Sequence, residues 1–278
     1  MKKLGLALGG GGARGCAHVG VIKALQEANI PIACVAGTSM GAVVGGVFAS
    51  GHLKHLEDYL SKITWTDVLT QFDPTVGNDG MFKGKKVLQL IEKLTGGKSF
   101  SDCQIPFVCT ATNLMDGQAV RLSEGKLSEA IRASISLPGI LMTVEKEGKH
   151  LLDGGITNPL PVDLAKQLGA DVVLAVDVSQ QYVHEKRRAA SQKDEKGWGI
   201  GRWASSSYPS MIDVIEGSMF LMQKVVTEKN LEQYPADLLL TLNLSAARLF
   251  DFQKAKTLIK EGYEATKKVI PELRGMIE

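Results

Sequence analysis

Residues 6–18 read LALGGGGARGCAH, and the reading of the whole chain turns on what such a loop is built to hold. A short apolar run, 4–8, leads into four glycines at 9–12. Beyond them, residues 15–28 carry Val21, Ile22, Leu25 and Ala28 on one helical face. The order is therefore strand, glycine loop, helix. Gly10, Gly12 and Gly15 match G-x-G-x-x-G in the context a dinucleotide site requires. Such a site also needs an acidic residue about 20 positions on, at the end of the second strand, to hold the ribose hydroxyls. The second strand is IPIACVA (30–36), and it runs into GTSMG with no Asp or Glu. A P-loop fits worse still, because Cys16-Ala17 follows Gly15 where Lys and Ser/Thr belong.

What replaces the missing acid is itself a motif. Gly37-Thr38-Ser39-Met40-Gly41 is G-x-S-x-G between a strand and a helix, the arrangement of a nucleophile elbow. So sharp a turn forces the serine into a strained backbone and leaves no room for side chains beside it. It also exposes the hydroxyl at a helix N-terminus, where free amides favour negative charge. The glycine loop then gains a different task. Acyl transfer from an ester passes through a tetrahedral oxyanion, which needs backbone N–H donors placed in advance. Gly10, Gly11 and Gly12, with the Met40 amide, are the expected oxyanion-hole donors. Arg14 either braces the loop, attracts an anionic substrate or pairs with a surface carboxylate.

Strand and helix patterns alternate through most of the chain, which predicts an α/β fold: a three-layer α/β/α arrangement around a mainly parallel sheet. Residues 37–51 form the second helix, and residues 52–105 are mainly helical around a loop at DPTVGNDG. IPFVCTATNL and QAVRLSE form a hairpin turning at Asp116-Gly117. LSEAIRASISLPGIL is a helix ending near Pro138, and TVEKEGKHLLDGG is a hairpin that delivers Asp153 at the end of its second strand. A helix and an apolar strand follow in PVDLAKQLGADVVLAVDVS. Residues 180–208, charged and then rich in glycine and serine, read as a mobile surface excursion. A helix (209–229), the strand ADLLLTLNL and a helix over about 252–270 complete the chain, which is read as one domain spanning 1–278.

Composition narrows the function classes. A net charge of +2, with no basic stripe interleaved with aromatics, argues against a nucleic-acid partner. Cys16, Cys34, Cys103 and Cys109 have no metal-ligand or disulfide-framework spacing, which predicts reduced thiols, no metal and no cofactor. Lys2 and Lys3 precede an apolar run too short for a signal peptide, and no segment is long enough to span a bilayer. A cytoplasmic protein is expected, with a membrane surface as its peripheral contact. Trp198 and Trp203 lie among Lys193, Lys196, Arg202 and glycines, a composition suited to an interface or simply to a solvated loop. MFLMQKVV (219–226) is either the lining of an acyl channel or core.

An elbow serine needs a proton acceptor. His18 lies in the first helix, His52 and His55 follow the elbow helix, and His184 is in the excursion. His150 stands three residues before Asp153 on the same strand and so points the other way. None has an acidic partner placed for a Ser-His-Asp triad. Asp153, followed by Gly154 and Gly155, is the better candidate, because a carboxylate at a strand end beside two glycines can approach another backbone closely.

GGGGARG (9–15), GTSMG (37–41), RASISLPGI (132–140) and DGGITNPLPVDLAKQLGADVV (153–173) together resemble bacterial patatin-like phospholipases, especially the group related to the catalytic domain of neuropathy target esterase. The resemblance runs from Leu4 to the C-terminal helix. It implies a patatin-like fold and a Ser-Asp dyad, with Ser39 as nucleophile and Asp153 as base. It also implies an oxyanion hole in the glycine loop, with Arg14, Gly15, Gly37, Gly41, Gly154 and Gly155 supporting the site, and lipid acyl esters as substrates. The expected reaction is hydrolysis of phospholipid or lysophospholipid esters through an acyl-serine. A small-ester carboxylesterase or a transacylase would use the same dyad, and a nucleotide-binding regulatory module would use the glycine loop alone.

Overall fold

The computed structural model describes residues 1–70, 73, 80–179, 211–244 and 246–278. The stretch 180–208, expected to form the surface excursion and carrying Trp198 and Trp203, therefore lies outside the described residues.

Among the described residues, strands β1 (Leu4–Leu8), β2 (Ile32–Thr38), β3 (Gly80–Phe82), β4 (Phe107–Asn113), β5 (Ala119–Leu122), β6 (Gly139–Leu141), β7 (Val144–Lys146), β8 (Lys149–Asp153), β9 (Val172–Asp177) and β10 (Leu238–Thr241) follow in chain order. Eight of them form one sheet in the order β10-β9-β1-β2-β4-β8-β7, with β5 beside β4; β3 and β6 form a separate pair. The pairings from β10 through β9, β1 and β2 to β4 are parallel, whereas β4–β5, β4–β8 and β7–β8 are antiparallel. β1 lies centrally because its residues are apolar on both faces, as a strand covered on both sides must be.

The helices are α1 (Ala17–Glu27), α2 (Met40–Ala49), α3 (Leu53–Lys62), α4 (Trp65–Thr70), α5 (Lys85–Leu94), α6 (Leu127–Ser134), α7 (Val162–Gln167), α8 (Met211–Gln233) and α9 (Ala255–Ile277). Alternation along the strands sorts the two layers. Leu4, Leu6 and Leu8 of β1 join Val172, Leu174 and Val176 of β9 in the larger core, under α1, α2, α6 and α9. Ala7, Val173 and Ala175 face the other way, against Val162, Leu164 and Ala165 of α7. The layers are α/β/α around a mainly parallel sheet, as the alternation predicts.

Gly20 and Gly262 let α1 and α9 meet at backbone distance. A Cβ on Gly20 would lie 1.9 Å from the Ile259 carbonyl oxygen, and one on Gly262 would lie 2.1 Å from that of Ala17. The helix expected to run to Pro138 stops at Ser134. The last helix runs to Ile277, through Pro271. The hairpin at Asp116-Gly117 forms with Gly117 at φ 68°. The second turns at Glu147-Gly148, with φ of 53° and 73°, a turn with two left-handed residues that suits a two-residue hairpin.

Candidate active site

β2 ends in the elbow. Ser39 has φ 53° and ψ −121°, a conformation that costs a non-glycine residue about 1–3 kcal/mol. The flanking glycines are required by contact. A Cβ on Gly37 would stand 2.5 Å from the Gly41 carbonyl oxygen, and one on Gly41 would stand 2.1 Å from that of Leu8. The turn is held from both sides. The Ser39 carbonyl accepts the N–H groups of Ala42 and Val43 at 2.9 and 3.1 Å. The Ser39 N–H donates to the Ser134 hydroxyl at 2.9 Å.

Asp153 arrives at the end of β8, opposite Ala111 of β4. Its Oδ2 accepts the Ser39 hydroxyl at 2.7 Å, and its Oδ1 accepts the Gly155 N–H at 2.7 Å. Its own N–H donates to the Ser136 carbonyl at 2.9 Å. The carboxyl is 1% exposed. Burial pushes its pKa up from 3.8 to about 6, against the two hydrogen bonds, which favour the charged form. Gly154 and Gly155 admit no side chain: Cβ atoms there would stand 2.3 Å from the Thr110 carbonyl oxygen and 2.9 Å from Asp153 Oδ1.

The glycine loop passes beside the serine, so that a Cβ on Gly10 would lie 3.4 Å from Ser39 Cβ. Gly9 and Gly10 tie the loop down, donating to the carbonyls of Val176 and Pro159 at 3.1 and 3.0 Å. This corrects the expected donor set. The Gly10 proton is committed to Pro159, so Gly10 anchors the loop and has none to offer an oxyanion. Among the described residues, the N–H groups of Gly11, Gly12 and Met40 donate to no backbone carbonyl. Gly12 is left-handed at φ 56°, and a Cβ there would collide with Leu249 at 2.5 Å. Gly15 packs on the elbow itself, since its Cβ would meet Met40 Cγ at 2.5 Å.

Arg14 is 1% exposed. Its Nε donates to the Gly11 carbonyl at 3.4 Å, its guanidinium lies 3.7 Å over the Phe220 ring, and Glu216 stands 3.9 Å away. Of the three roles open to it, bracing is the one its burial fits. Arg132 is also buried and donates to the carbonyls of Lys83, Gly84 and Met142 and to the Ser136 hydroxyl. The stretch RASIS thus supplies three fixed points: Arg132 pins the segments beside β3 and β6, Ser134 holds the elbow amide, and the Ser136 carbonyl holds Asp153.

The described histidines lie elsewhere. His18 is fully buried, with Nε2 2.8 Å from the Gly9 carbonyl oxygen, so that nitrogen carries the proton; burial pushes the ring's pKa down to about 4. His52 Nδ1 pairs with the Ser50 hydroxyl at 3.1 Å, and the His55 ring lies tilted against His52 with centroids 5.3 Å apart. His150 is exposed on the strand face opposite Asp153, and His184 lies outside the described residues. The four cysteines are free, and among the described residues no group of His, Cys, Asp and Glu could hold a metal ion.

Ser39 and Asp153 open onto a cavity of about 180 Å³ with mostly aliphatic walls. Leu56 and Leu60 of α3, Val87, Leu90, Ile91 and Leu94 of α5, and Leu137, Ile140 and Leu141 line it. Met219–Val226, one expected channel wall, does not line this cavity. Met219 and Phe220 are buried, while Leu221, Met222 and Val225 point outward at 47%, 57% and 64% exposure. Sequence reasoning also missed Ser134 and Gln223 near the serine. Ser134 had a signal in its place between two other motif positions; the cavity walls had theirs in the i, i+3, i+4, i+7 stripe of α5, a periodicity that core and cavity walls share. No helix among the described residues is long and apolar enough to cross a membrane.

An uncharacterized NTE family protein of Mycobacterium bovis is 40% identical over 177 residues, covering 64% of this chain and 49% of the relative. Lysophospholipase NTE1 of Coccidioides immitis is 31% identical over 294 residues, covering 99% of this chain and 18% of the relative. The chain thus spans about half the length of the mycobacterial relative and a smaller part of the fungal one. The crystal structure of VipD from Legionella pneumophila superposes with a TM-score of 0.50 at 12% identity, covering 98% of this chain and 67% of that one, a likeness of fold. The family model described as patatin-like phospholipase matches residues 6–166, a span that takes in the glycine loop, the elbow and the aspartate together. On that match the chain belongs to the patatin-like phospholipase family.

Proposed function

We propose that this chain is a serine acyl hydrolase that cleaves carboxylic ester bonds of phospholipids or lysophospholipids through a Ser39–Asp153 dyad. The observation that carries the reading is the 2.7 Å hydrogen bond from the Ser39 hydroxyl to a buried carboxylate at the mouth of an aliphatic cavity. The name of the fungal relative, a lysophospholipase, supports the substrate class.

The chemistry follows from the contacts. An acyl chain enters the cavity and brings its ester carbonyl to Ser39. As Oγ attacks the carbonyl carbon, its proton passes to Asp153 Oδ2, and the carbonyl oxygen becomes an oxyanion facing the amides of Gly11, Gly12 and Met40. Collapse expels the alkoxide, which takes the proton from Asp153 and leaves as an alcohol. Water then attacks the acyl-serine, gives a proton to Asp153, and the second collapse releases the fatty acid as Ser39 recovers its proton. A carboxylate of pKa about 6 is a weak base for a serine hydroxyl. The donors must therefore capture charge as it forms; each is worth about 3–4 kcal/mol of the barrier. A second requirement is access to lipid, and a membrane surface is the peripheral contact this substrate class demands.

Fluorophosphonate labelling of wild type and Ser39→Ala, followed by a panel of lipid esters, tests the reading. Labelling and turnover in the wild type, both absent from the variant, are expected. An unlabelled wild type that cleaves no ester overturns the proposal.

A further inference from the structure

A second, smaller pocket meets the acyl cavity at Ser39 and Gly12. It measures about 10 Å³, and Gly11, Gly12, Ser39, Glu216 and Gln223 are among its walls. A space of this size holds one water-sized group and no more. Its polar lining is unequal. Glu216 is committed, since its Oε1 accepts the Leu249 N–H at 2.9 Å and lies 3.9 Å from Arg14. Gln223 is only 5% exposed, and its Oε1 has no hydrogen-bond partner among the described residues. The amide is pressed against the turn that follows Asp153: a Cβ on Gly155 would stand 2.3 Å from Gln223 Nε2. A buried amide carbonyl without a partner is uncommon and calls for an explanation.

We infer that Gln223 is a specificity-determining residue that reads a free hydroxyl on the alcohol side of the scissile ester. This rests on the acyl-hydrolase reading above and narrows its substrate class to esters whose leaving alcohol carries an unesterified neighbouring hydroxyl, as a lysophospholipid does. The chemistry selects the group. Oε1 accepts only, so its partner must donate; ester carbonyls, ether oxygens and phosphate diesters offer no proton. A hydroxyl both donates and accepts, and therefore pairs with either end of the amide. The pocket's size excludes a phosphate head group, and its opening at Ser39 puts it within a few bonds of the ester oxygen. A diacyl lipid would have to place an ester there, leaving the amide carbonyl unpaired. Sites built around a buried polar group reject analogues that lack its partner.

The test compares kcat/KM for 1-palmitoyl lysophosphatidylcholine and for its 2-deoxy analogue, in which hydrogen replaces the free hydroxyl. The wild type is expected to favour the hydroxyl substrate roughly tenfold, the effect of about one hydrogen bond. In Gln223→Met, close to glutamine in shape and without its amide, the ratio falls to about one. Should that variant not fold, Gln223→Asn withdraws the amide by one methylene and carries the same readout. A wild-type ratio near one, or a ratio that the substitution leaves unchanged, overturns the assignment while leaving the hydrolase reading standing. A wild type that cleaves neither substrate overturns that reading and this inference with it.

Discussion

The N–H of Ser39 donates to the hydroxyl of Ser134 across 95 residues of sequence, at 2.9 Å. This bond ties the strained turn to the last residue of α6, and through the same stretch to Asp153, whose N–H binds the Ser136 carbonyl. Ser39 and Asp153 are thus both positioned from one short segment. Ser134→Ala removes the acceptor and strands an elbow amide. A stability loss of about 1–3 kcal/mol is expected by urea unfolding, with turnover falling roughly tenfold as the serine loses its fixed geometry. Unchanged turnover at reduced stability would limit Ser134 to a structural role.

In the proposed reaction Asp153 must be ionised to take the proton. With its pKa held at about 6 by burial, kcat/KM should rise with pH, reach half its plateau near pH 6 and stay level above it. No described histidine hydrogen-bonds Ser39 or Asp153, so His52→Ala, His55→Ala and His150→Ala should keep that profile. A limb displaced by any of the three would mean that a histidine, and not the aspartate, governs the proton.

The same burial sets a conflict between activity and stability. Folding favours protonated Asp153, so its contribution is most favourable below pH 3.8 and is withdrawn as pH rises from 3.8 to about 6. His18 acts oppositely. Folding favours its neutral ring, so its contribution is complete above pH 6.5 and is withdrawn as pH falls from 6.5 to about 4. Each displacement corresponds to about 3 kcal/mol, and between pH 4 and 6.5 the two nearly cancel. Asp153→Asn should therefore be more stable than wild type at pH 7–8, by up to about 3 kcal/mol. Its advantage should shrink towards pH 4, and its ester turnover should fall roughly 10³-fold or more. Urea titrations at several pH values read the first effect and a lipid-ester assay the second. A variant less stable than wild type at pH 8 would contradict the buried-charge account.

The elbow glycines were legible in the sequence because their reason is local. Gly37 and Gly41 flank one serine in a strand–turn–helix context, and the clashes that a Cβ would make there follow from that turn. Asp153 was legible for a similar reason: the hairpin at Gly148 delivers it, and two glycines follow. The parallel order of the central strands follows from strand–helix alternation. The long-range pairings were not legible. Nothing near Gly10 shows that its proton goes to Pro159, so the loop's free donors could not be told from its anchors. Gln223 and Ser134 meet the site only through tertiary packing. The apolar stripe of α5 has one periodicity whether it faces core or cavity, and only the assembled fold distinguishes them.

The cavity wall offers the last prediction. Val87 stands on α5, half-buried, and lines the aliphatic space that opens at Ser39. Val87→Trp fills part of that space from a helix position whose backbone tolerates any side chain. A long acyl chain loses room that a short one never uses, so the effect must depend on chain length. The ratio of kcat/KM for a palmitoyl ester to that for a butyryl ester should fall roughly tenfold or more, which corresponds to displacing about two buried methylenes at about 0.8 kcal/mol each. An equal loss on both esters would indicate damage to the dyad, and an unchanged ratio would show that the acyl chain runs elsewhere. Because the readout is a ratio, a general loss of folded protein leaves it intact, and only the path of the chain can move it.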